Sequence, residues 1–407
     1  MLEFLKSKAS LLGNNTGIDF HFLTKDQYYF DSACQTLRPQ AVLDAQNEYY
    51  QTYNACGERV KYKWGVRVDE EVDRARELLL NYIGKSAKEY TVVFTLNTTY
   101  GLNLILQQIN PKNFEQVVVS EFEHNSVFLP TITWSRRHNK KRIVLPRKSD
   151  GSLEFSNTDL RNSIVVINTV SNIDGRLLKN SEELAKSVHK NSGILILDGA
   201  QNFSHNVDNL KKTDFDAVCG SGHKMYGPSI GFIIIKKSLI KQLDHFLLGG
   251  GTVTDVRKDD FDLIIDDHEL YATMELGLQN WAGIIGLKAA VSWLDKFRPA
   301  GRSRDGHEKI LREKLFTGLQ EIPELKVFNK EPSPTISIYS DKIDAHRLGL
   351  YLSEQNIMCR SGYFCCHYYL KNLLKMAPLL RVSLGLHNKE SDVDYLLDVL
   401  SKIMGNV

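Results

Sequence analysis

The sequence predicts an α/β fold, with a doubly wound, mostly parallel sheet in a large domain and a smaller α+β domain after it. From residue 91 onward, short β-rich runs alternate with helical stretches, and several of these runs are continuously apolar. Continuous apolar runs are typical of strands that helices cover on both faces. After about residue 282 the alternation ends and longer amphipathic helices predominate, which predicts the second domain.

Seven runs are predicted to be the strands of the large sheet. They are TVVFT (91–95), QVVVS (116–120), RIVLP (142–146), IVVIN (164–168), GILILD (193–198), DAVCG (216–220) and GFIII (231–235). Stretches such as SEELAKSVHKN, which lie between these runs, have the composition of the connecting helices.

Three further helices are predicted from apolar residues at helical spacing, in DEEVDRARELLLNYIG (69–84), AGIIGLKAAVSWLDKF (282–297) and SDVDYLLDVLSKI (391–403). Gly84 marks the end of the first, and an S-x-x-D cap opens the third. TISIYS and RVSLGL are predicted strands of the smaller domain. The resulting division is an N-terminal segment (1–27) that packs on the small domain, a large domain (28–281) and a small domain (282–407).

The composition argues against two classes of partner. Lys and Arg total 51 and Asp and Glu total 49, a net charge of +2, whereas a nucleic-acid-binding protein usually carries a basic excess. No apolar run approaches the roughly 18 residues of a membrane-spanning helix. Charged residues interrupt the opening MLEFLKSKAS, so we expect no secretory signal and, by default, a cytoplasmic location.

The six cysteines are sparse, and none forms a C-x-x-C pair; they are Cys34, Cys56, Cys219, Cys359, Cys365 and Cys366. Free thiols are therefore expected rather than a disulfide framework. Cys365-Cys366-His367 lacks a second pair of ligands at zinc-finger spacing, so no metal site is expected.

Candidate functional residues follow the ends of the predicted strands, where ligands of open α/β sheets bind. Asn97-Thr98-Thr99 precedes a predicted helix and forms either a phosphate site or a simple N-cap. His124 is either a catalyst or a hydrogen-bonded loop residue. Asp198 either caps a turn or holds a cationic ring nitrogen.

A lysine in the tight turn Ser221-Gly-His-Lys-Met-Tyr-Gly-Pro228 is the most informative feature. Lys224 lies between two predicted buried strands, where an isolated ammonium group is unfavourable unless it is paired or reacts. A lysine, an acid and a phosphate site at one sheet edge suit pyridoxal phosphate. That cofactor needs an amine for a Schiff base, a carboxylate at its ring nitrogen and donors for its phosphate.

The sequence at this point resembles the class V aminotransferase-fold enzymes, specifically cysteine desulfurases and selenocysteine lyases of the shorter-loop, SUF-type group. The resemblance runs from YYFDSACQTLRP (28–39) to RVSLGLHN (381–388) and is carried mainly by SGHKMYGP and DGAQ (198–201), with support from NTTYGLN and EHNSV. It implies the fold of type I pyridoxal-phosphate-dependent transferases, pyridoxal 5'-phosphate as cofactor and a homodimer.

The resemblance also implies roles for the residues of the cofactor site. Lys224 forms the Schiff base and moves the Cα proton, Asp198 pairs with the pyridinium nitrogen, and His124 stacks on the ring and acts as acid or base. Gln201 and Asn172 bond near the phenolic oxygen. The phosphate is held by Thr98, Thr99, Ser221 and His223.

The segment Arg360-Ser-Gly-Tyr-Phe-Cys365 resembles the R-x-G-x-x-C element of desulfurases. This makes Cys365 the residue that takes the substrate sulfur, with Arg360 favouring its thiolate, although Cys365 and Cys366 can also be read as two small buried hydrophobes. Arg381 matches the arginine that binds the substrate carboxylate; a structural salt bridge on a strand is the alternative. Arg360 is the second residue that we expect to bind substrate.

The chain departs from the family pattern at two informative positions. Leu278 stands where a threonine normally reaches the phosphate of the neighbouring subunit, so either Thr252 replaces that donor or one donor is missing. Cys366 replaces a common alanine, and its thiol either shares sulfur with Cys365 or packs.

The expected function is conversion of L-cysteine to L-alanine, with a persulfide formed on Cys365 for an acceptor protein or a reductant. The alternatives are another class V enzyme, such as an aminotransferase, an epimerase or an amino-acid lyase acting on selenocysteine or cysteine sulfinate, and a non-catalytic binding protein that retains the fold. Retention of Lys224, Asp198 and Arg381 argues against the last.

Overall fold

A computed structural model describes residues 19–406, apart from residues 21, 25, 59 and 206. Most of the predicted N-terminal segment 1–27 therefore lies outside the described residues. Within it, Phe20 packs against the rings of Tyr226, Trp293 and His387. Among the described residues, no helix combines the length and the apolar character that crossing a bilayer requires.

The large sheet contains all seven predicted strands, each within one residue of its predicted bounds. In spatial order they are Tyr90–Thr95, Gly231–Lys236, Ala217–Ser221, Ile194–Asp198, Ser163–Asn168, Gln116–Ser120 and Lys141–Leu145. Only Gly231–Lys236 runs antiparallel to its neighbours, and the remaining pairs are parallel. The prediction of a mostly parallel seven-stranded sheet is confirmed.

Helices cover both faces of this sheet, which is why its strands are apolar without alternation. Along Ser163–Asn168, Val165 and Ile167 enter one hydrophobic cluster, whereas Ile164 and Val166 enter another on the opposite face. The helices of the large unit are Gln40–Thr52, Lys63–Tyr82, Thr98–Gln108, Asn125–His138, Ser181–Lys190, Asn202–His205, Asp208–Lys212 and Lys237–Ile240.

The helix Trp281–Lys296 packs its buried residues into the same cluster as helices Gln40–Thr52 and Lys63–Tyr82. The predicted face of Ile284, Leu287, Val291 and Leu294 is buried. The predicted domain boundary at residue 282 falls at the start of this helix, and the division into domains stays a prediction.

The C-terminal part contains a four-stranded antiparallel sheet and its own hydrophobic cluster. Its strands lie in the order Lys326–Val327, Thr335–Tyr339, Leu379–Ser383 and Arg360–Gly362, and its helices are Arg304–Glu321, Ala345–Glu354 and Glu390–Met404. Near the start of the chain, Tyr28–Tyr29 pairs in parallel with Ile357–Met358.

Two helix starts differ from the sequence-based expectation. The helix predicted from residue 69 begins at Lys63, because Val68 extends the buried face of Val72 and Ala75 by one turn toward the N-terminus. The cap of the last helix is Lys389, whose backbone N–H donates to Asp392 Oδ2 at 2.9 Å. The S-x-x-D motif lies inside the first turn, so the predicted cap was wrong.

Candidate active site

The carboxyl ends of the parallel strands open into one cavity of about 510 Å³. Every residue assigned a role from the sequence lines it: Thr98, Thr99, His124, Asn172, Asp198, Gln201, Ser221, His223, Lys224, Arg360, Cys365 and Arg381. The topology explains this convergence, since loops that follow neighbouring parallel strands meet at one edge of the sheet.

Asp198 ends one strand and Lys224 follows the neighbouring one, because Ile194–Asp198 pairs with Ala217–Ser221. Lys224 belongs to a short 3-10 turn directly after its strand, and no hydrogen bond joins its ammonium group to the described residues. Burial lowers the pKa of Lys224; Asp198 opposes this shift and Arg381 adds to it. Asp198 is buried, accepts the Ala200 N–H at 3.0 Å, and has its pKa raised by burial.

One end of the cavity is rich in hydroxyl groups and lies at a helix N-terminus. The helix Thr98–Gln108 starts there, with Asn97 as its N-cap accepting the Tyr100 N–H at 2.9 Å. Thr98 Oγ1 lies 2.7 Å from Ser221 Oγ. The strand that begins at Gly231 passes close to the N-cap residue Asn97. Glycine is required at position 231, because a Cβ there would lie 2.4 Å from Asn97 Cα.

His124 is the N-cap of the helix Asn125–His138. Its Nδ1 accepts the Ser126 N–H at 3.1 Å, which places the ring proton on Nε2 in the neutral form. Burial, with contributions from Lys224 and Arg381, lowers the pKa of His124 to about 3. The ring is therefore neutral near pH 7, a state that suits stacking better than proton donation.

Behind His124, Glu123 is buried without a formal ion pair among the described residues. Its carboxylate accepts the Asn168 N–H at 2.8 Å and contacts Ser120 Oγ. Burial raises the pKa of Glu123 to about 7, against the hydrogen bond from Ser120 and the charge of Arg147. Glu123 was not singled out in the sequence, where a lone acid beside a histidine carries no distinctive spacing.

The two amides assigned to the phenolic oxygen have other partners in this structure. Gln201 Nε2 donates to Ala33 O at 2.7 Å, and Asn172 Nδ2 donates to Phe364 O at 2.7 Å. Each amide retains a second N–H, so the predicted contacts to a cofactor ring stay predictions. His223 is half-buried, and burial lowers its pKa to about 4.

Cys365 lies on a compact loop at the mouth of the cavity and is exposed. Its backbone φ is 58° and that of Phe364 is 48°. The left-handed region is unfavourable for residues with a Cβ. The Asn125 N–H donates to Cys365 O at 2.7 Å, so the first turn of the helix Asn125–His138 holds the loop in place.

Two arginines meet across the small sheet, because Arg360 and Arg381 are register partners on adjacent strands. Arg381 is only 3% exposed, and its Nη2 lies 3.1 Å from Asp31 Oδ1. Arg360 donates from Nη2 to Asp31 Oδ2 at 2.8 Å. Arg381 Nε is buried without a hydrogen-bond partner among the described residues.

Sequence reasoning missed Asp31, although it lies in the segment 28–39 that carried the family resemblance. Cys34 and Ser126 were also missed as cavity residues.

Thr252 is buried, and its hydroxyl donates to Gly249 O at 2.8 Å within its own turn. This leaves Thr252 poorly placed to replace the donor missing at Leu278, a side chain that is 77% exposed.

A half-buried lysine beside a buried acid, with hydroxyl groups and a helix N-terminus at the far end, defines a pyridoxal-phosphate-dependent enzyme of fold type I. The sequence model of the family "Aminotransferase class-V" matches residues 28–396. The chain belongs to the class V aminotransferase family.

Several relatives resemble the chain over nearly its whole length. A probable cysteine desulfurase of Pasteurella multocida is 29% identical, over 92% of this chain and 89% of that protein. One of Pyrococcus abyssi is also 29% identical, over 94% and 95% respectively. The solved apo structure of the cysteine desulfurase of Thermococcus onnurineus superimposes with a TM-score of 0.85 at 26% identity, covering 94% of this chain and 96% of that chain.

Proposed function

We propose that this protein is a cysteine desulfurase that converts L-cysteine to L-alanine and forms a persulfide on Cys365. The observation that carries the proposal is the convergence of Lys224, Asp198, Arg381 and Cys365 on one cavity. Lys224 and Asp198 are suited to bind the cofactor. Arg381 is suited to bind a substrate carboxylate, and Cys365 to accept a sulfur atom. The names of the full-length relatives support the same activity.

The residues of the cavity fit pyridoxal phosphate. Lys224 has no hydrogen bond to the described residues that would compete with a covalent link. Burial lowers its pKa, which favours the neutral amine, the form that reacts with an aldehyde. Asp198 would hold the ring nitrogen, and the hydroxyl groups of Thr98 and Ser221 would hold the phosphate. When bound, the cofactor would supply an aldehyde for the substrate amine and an electron sink for the substrate Cα.

Arg381 orients the substrate through its carboxylate. Nη1 donates to Asn172 O at 2.9 Å and Nη2 to Asp31, so the guanidinium plane is fixed before substrate arrives. Arg381 lines the cavity, where its guanidinium can pair with an incoming carboxylate. This orientation presents the substrate Cα–H to Lys224, which takes the proton and returns it.

Cys365 then receives the sulfur. Its thiolate attacks the substrate sulfur; a sulfur–sulfur bond forms and the Cβ–S bond breaks, with the electron pair remaining on carbon. Protonation of that carbon gives alanine, and the transferred sulfur remains on Cys365 as a persulfide. Exposure of Cys365 at the cavity mouth allows an acceptor to reach it.

We also infer a homodimer and a sulfur-acceptor protein as partners, in a cytoplasmic setting. Support for the dimer comes from a groove beside Thr99 lined by Leu96, Tyr100 and Leu247. Leu96 and Tyr100 are exposed large apolar side chains, of the kind that interfaces cover.

Mass analysis of the holoprotein after incubation with L-cysteine tests the function. We expect one added sulfur on the peptide that contains Cys365, together with alanine in the medium. Cys365→Ser should abolish both, while Cys56→Ser, which removes an exposed thiol elsewhere, should leave both unchanged. Full alanine production by Cys365→Ser would instead favour another class V reaction in which Cys365 is incidental.

A further inference from the structure

The loop that carries Cys365 adopts a backbone conformation that needs external support. Gly362, Phe364 and Cys365 all have positive φ, at 137°, 48° and 58°. Only glycine adopts such values freely, so Phe364 and Cys365 must be held there by their contacts. Those contacts identify residues that set the position of the nucleophile.

Asn172 holds the loop at two points, one on each side of Cys365. Its Nδ2 donates to Phe364 O at 2.7 Å, and its Oδ1 lies 3.1 Å from Cys366 Sγ, which donates its S–H. The two contacts require the same orientation of the Asn172 amide. Its NH₂ group must face the Phe364 carbonyl, which needs a donor, and its oxygen must face the Cys366 thiol, which supplies one. Cys366 N also donates to Tyr363 O at 2.8 Å and closes the turn.

The adjacent thiols occupy different environments. Cys366 is 1% exposed and buried in a cluster with Phe122 and Ile173, whereas Cys365 is exposed. Burial, reinforced by Glu123 and Cys365, raises the pKa of Cys366 well above its ordinary value. Cys366 therefore remains a protonated thiol and can donate its S–H to Asn172. It lacks both the thiolate character and the solvent access that sulfur transfer needs.

Asn172 also connects the loop to the arginine that is expected to bind substrate. Its backbone carbonyl accepts Arg381 Nη1 at 2.9 Å. The Phe364 ring lies 4.8 Å from the Arg381 guanidinium carbon. One residue thus contacts both the element that would orient the substrate carboxylate and the element that would deliver the thiolate.

We propose that Cys366 and Asn172 are positioning residues that fix the Cys365 loop relative to Arg381, and that Cys366 carries no sulfur itself. An alanine at position 366 would leave Asn172 Oδ1 without this partner. The assignment of Cys365 as the sulfur-accepting residue rests on the proposed function, whereas the hydrogen-bonded clamp is independent of it.

The test compares Cys366→Ala with Cys366→Ser, whose hydroxyl can still donate to Asn172. In single-turnover experiments with L-cysteine, we expect the Ala variant to form the Cys365 persulfide about fivefold more slowly, as loss of one weak hydrogen bond predicts. The Ser variant should recover most of the rate. In all variants the added sulfur should be on Cys365 alone.

A second readout does not depend on catalysis. The rate at which iodoacetamide alkylates Cys365 in protein without substrate should rise several-fold in Cys366→Ala, because the loop samples more conformations, and return toward the parent value in Cys366→Ser. Combining Cys366→Ala with Asn172→Ala should add little to Asn172→Ala alone, since both remove the same contact.

Three outcomes would overturn the proposal: sulfur on Cys366 in the parent, equal rates for the parent and Cys366→Ala, or no recovery in Cys366→Ser. Absence of sulfur from every cysteine of the parent would refute the proposed function instead, and the alkylation rates would still decide whether the clamp exists. Cys56→Ser serves as the matched control for removal of a thiol.

Discussion

Asp31 and Arg381, 350 residues apart in the chain, form an ion pair in which Arg381 is almost fully buried. The same carboxylate accepts Nε and Nη2 of Arg360 at 3.0 and 2.8 Å. One carboxylate is therefore shared between two arginines from adjacent strands. A buried guanidinium requires such a partner whenever no substrate carboxylate is present.

Removal of this acid should destabilise the protein and make it respond more strongly to carboxylate ligands. Asp31→Ala leaves Arg381 with an uncompensated buried charge, at a cost of about 3 kcal/mol in the free energy of unfolding. Thermal unfolding with and without L-alanine measures both effects, and the ligand should raise the melting temperature more in the variant. Asp341→Ala, which removes an exposed pair with Lys326, should have almost no effect. Equal losses in the two variants would contradict the argument.

The two arginines should differ in their effect on substrate binding. Arg381→Lys removes the planar donor set and should raise KM roughly 10- to 100-fold, as expected for loss of charge-assisted hydrogen bonds. Arg360→Lys should change KM less, because Arg360 is half-exposed and turned toward Asp31. Steady-state alanine production gives both values. A larger effect at Arg360 would assign the carboxylate to that residue.

Lys224 and Asp198 should have separable effects on the cofactor. Borohydride reduction of the parent protein should fix pyridoxal phosphate to the Lys224 peptide, and Lys224→Ala should show no such adduct. Asp198→Asn should still bind the cofactor but lose at least about 100-fold in kcat, because its amide cannot keep the ring nitrogen protonated. Absorbance spectra and peptide mass analysis report the two properties. Reduction that labels another lysine would exclude Lys224 as the attachment site.

Glu123 should make stability depend on pH near neutrality. Its pKa is about 7 in the folded protein and ordinarily 4.5. Between these values the folded state holds a proton that the unfolded state has released, so rising pH disfavours folding, by up to about 3 kcal/mol. Glu123→Gln imitates the protonated form. Its melting temperature, relative to the parent, should therefore increase from pH 5 to pH 8; a constant difference would show that Glu123 is ionised throughout.

Much of the fold could be predicted because local patterns determine it. Strands covered on both faces are continuously apolar, and the seven runs were recognisable for that reason. The convergence of residues such as Lys224 and Asp198 also follows from topology, since the ends of parallel strands share an edge. The helix start at Lys63 was missed because the apolar Trp64 and Val66 are exposed and Gly65 has a low helix propensity, so the first turn lacks a regular apolar spacing.

The contacts of the C-terminal loop could not be predicted from the sequence. Asn172 reaches Cys366 across 194 residues and Phe364 across 192, and no spacing rule links positions that are so far apart. The role of Asp31 could not be predicted either, because nothing in the sequence distinguishes it from the other aspartates. Only the fold brings Arg360 and Arg381 next to it. The satisfied hydroxyl of Thr252 likewise depends on the local turn at Gly249.

The pairing of an N-terminal acid with arginines near the other end also bears on how the protein is made in the cell. Arg360 and Arg381 leave the ribosome 329 and 350 residues after Asp31, so Asp31 has neither partner while the strands of the large sheet are being made. The parallel strand pair of Tyr28–Tyr29 with Ile357–Met358 is subject to the same delay. The carboxylate-binding site at Arg381 can therefore form only after the residues of the large sheet and of the proposed cofactor site have been made.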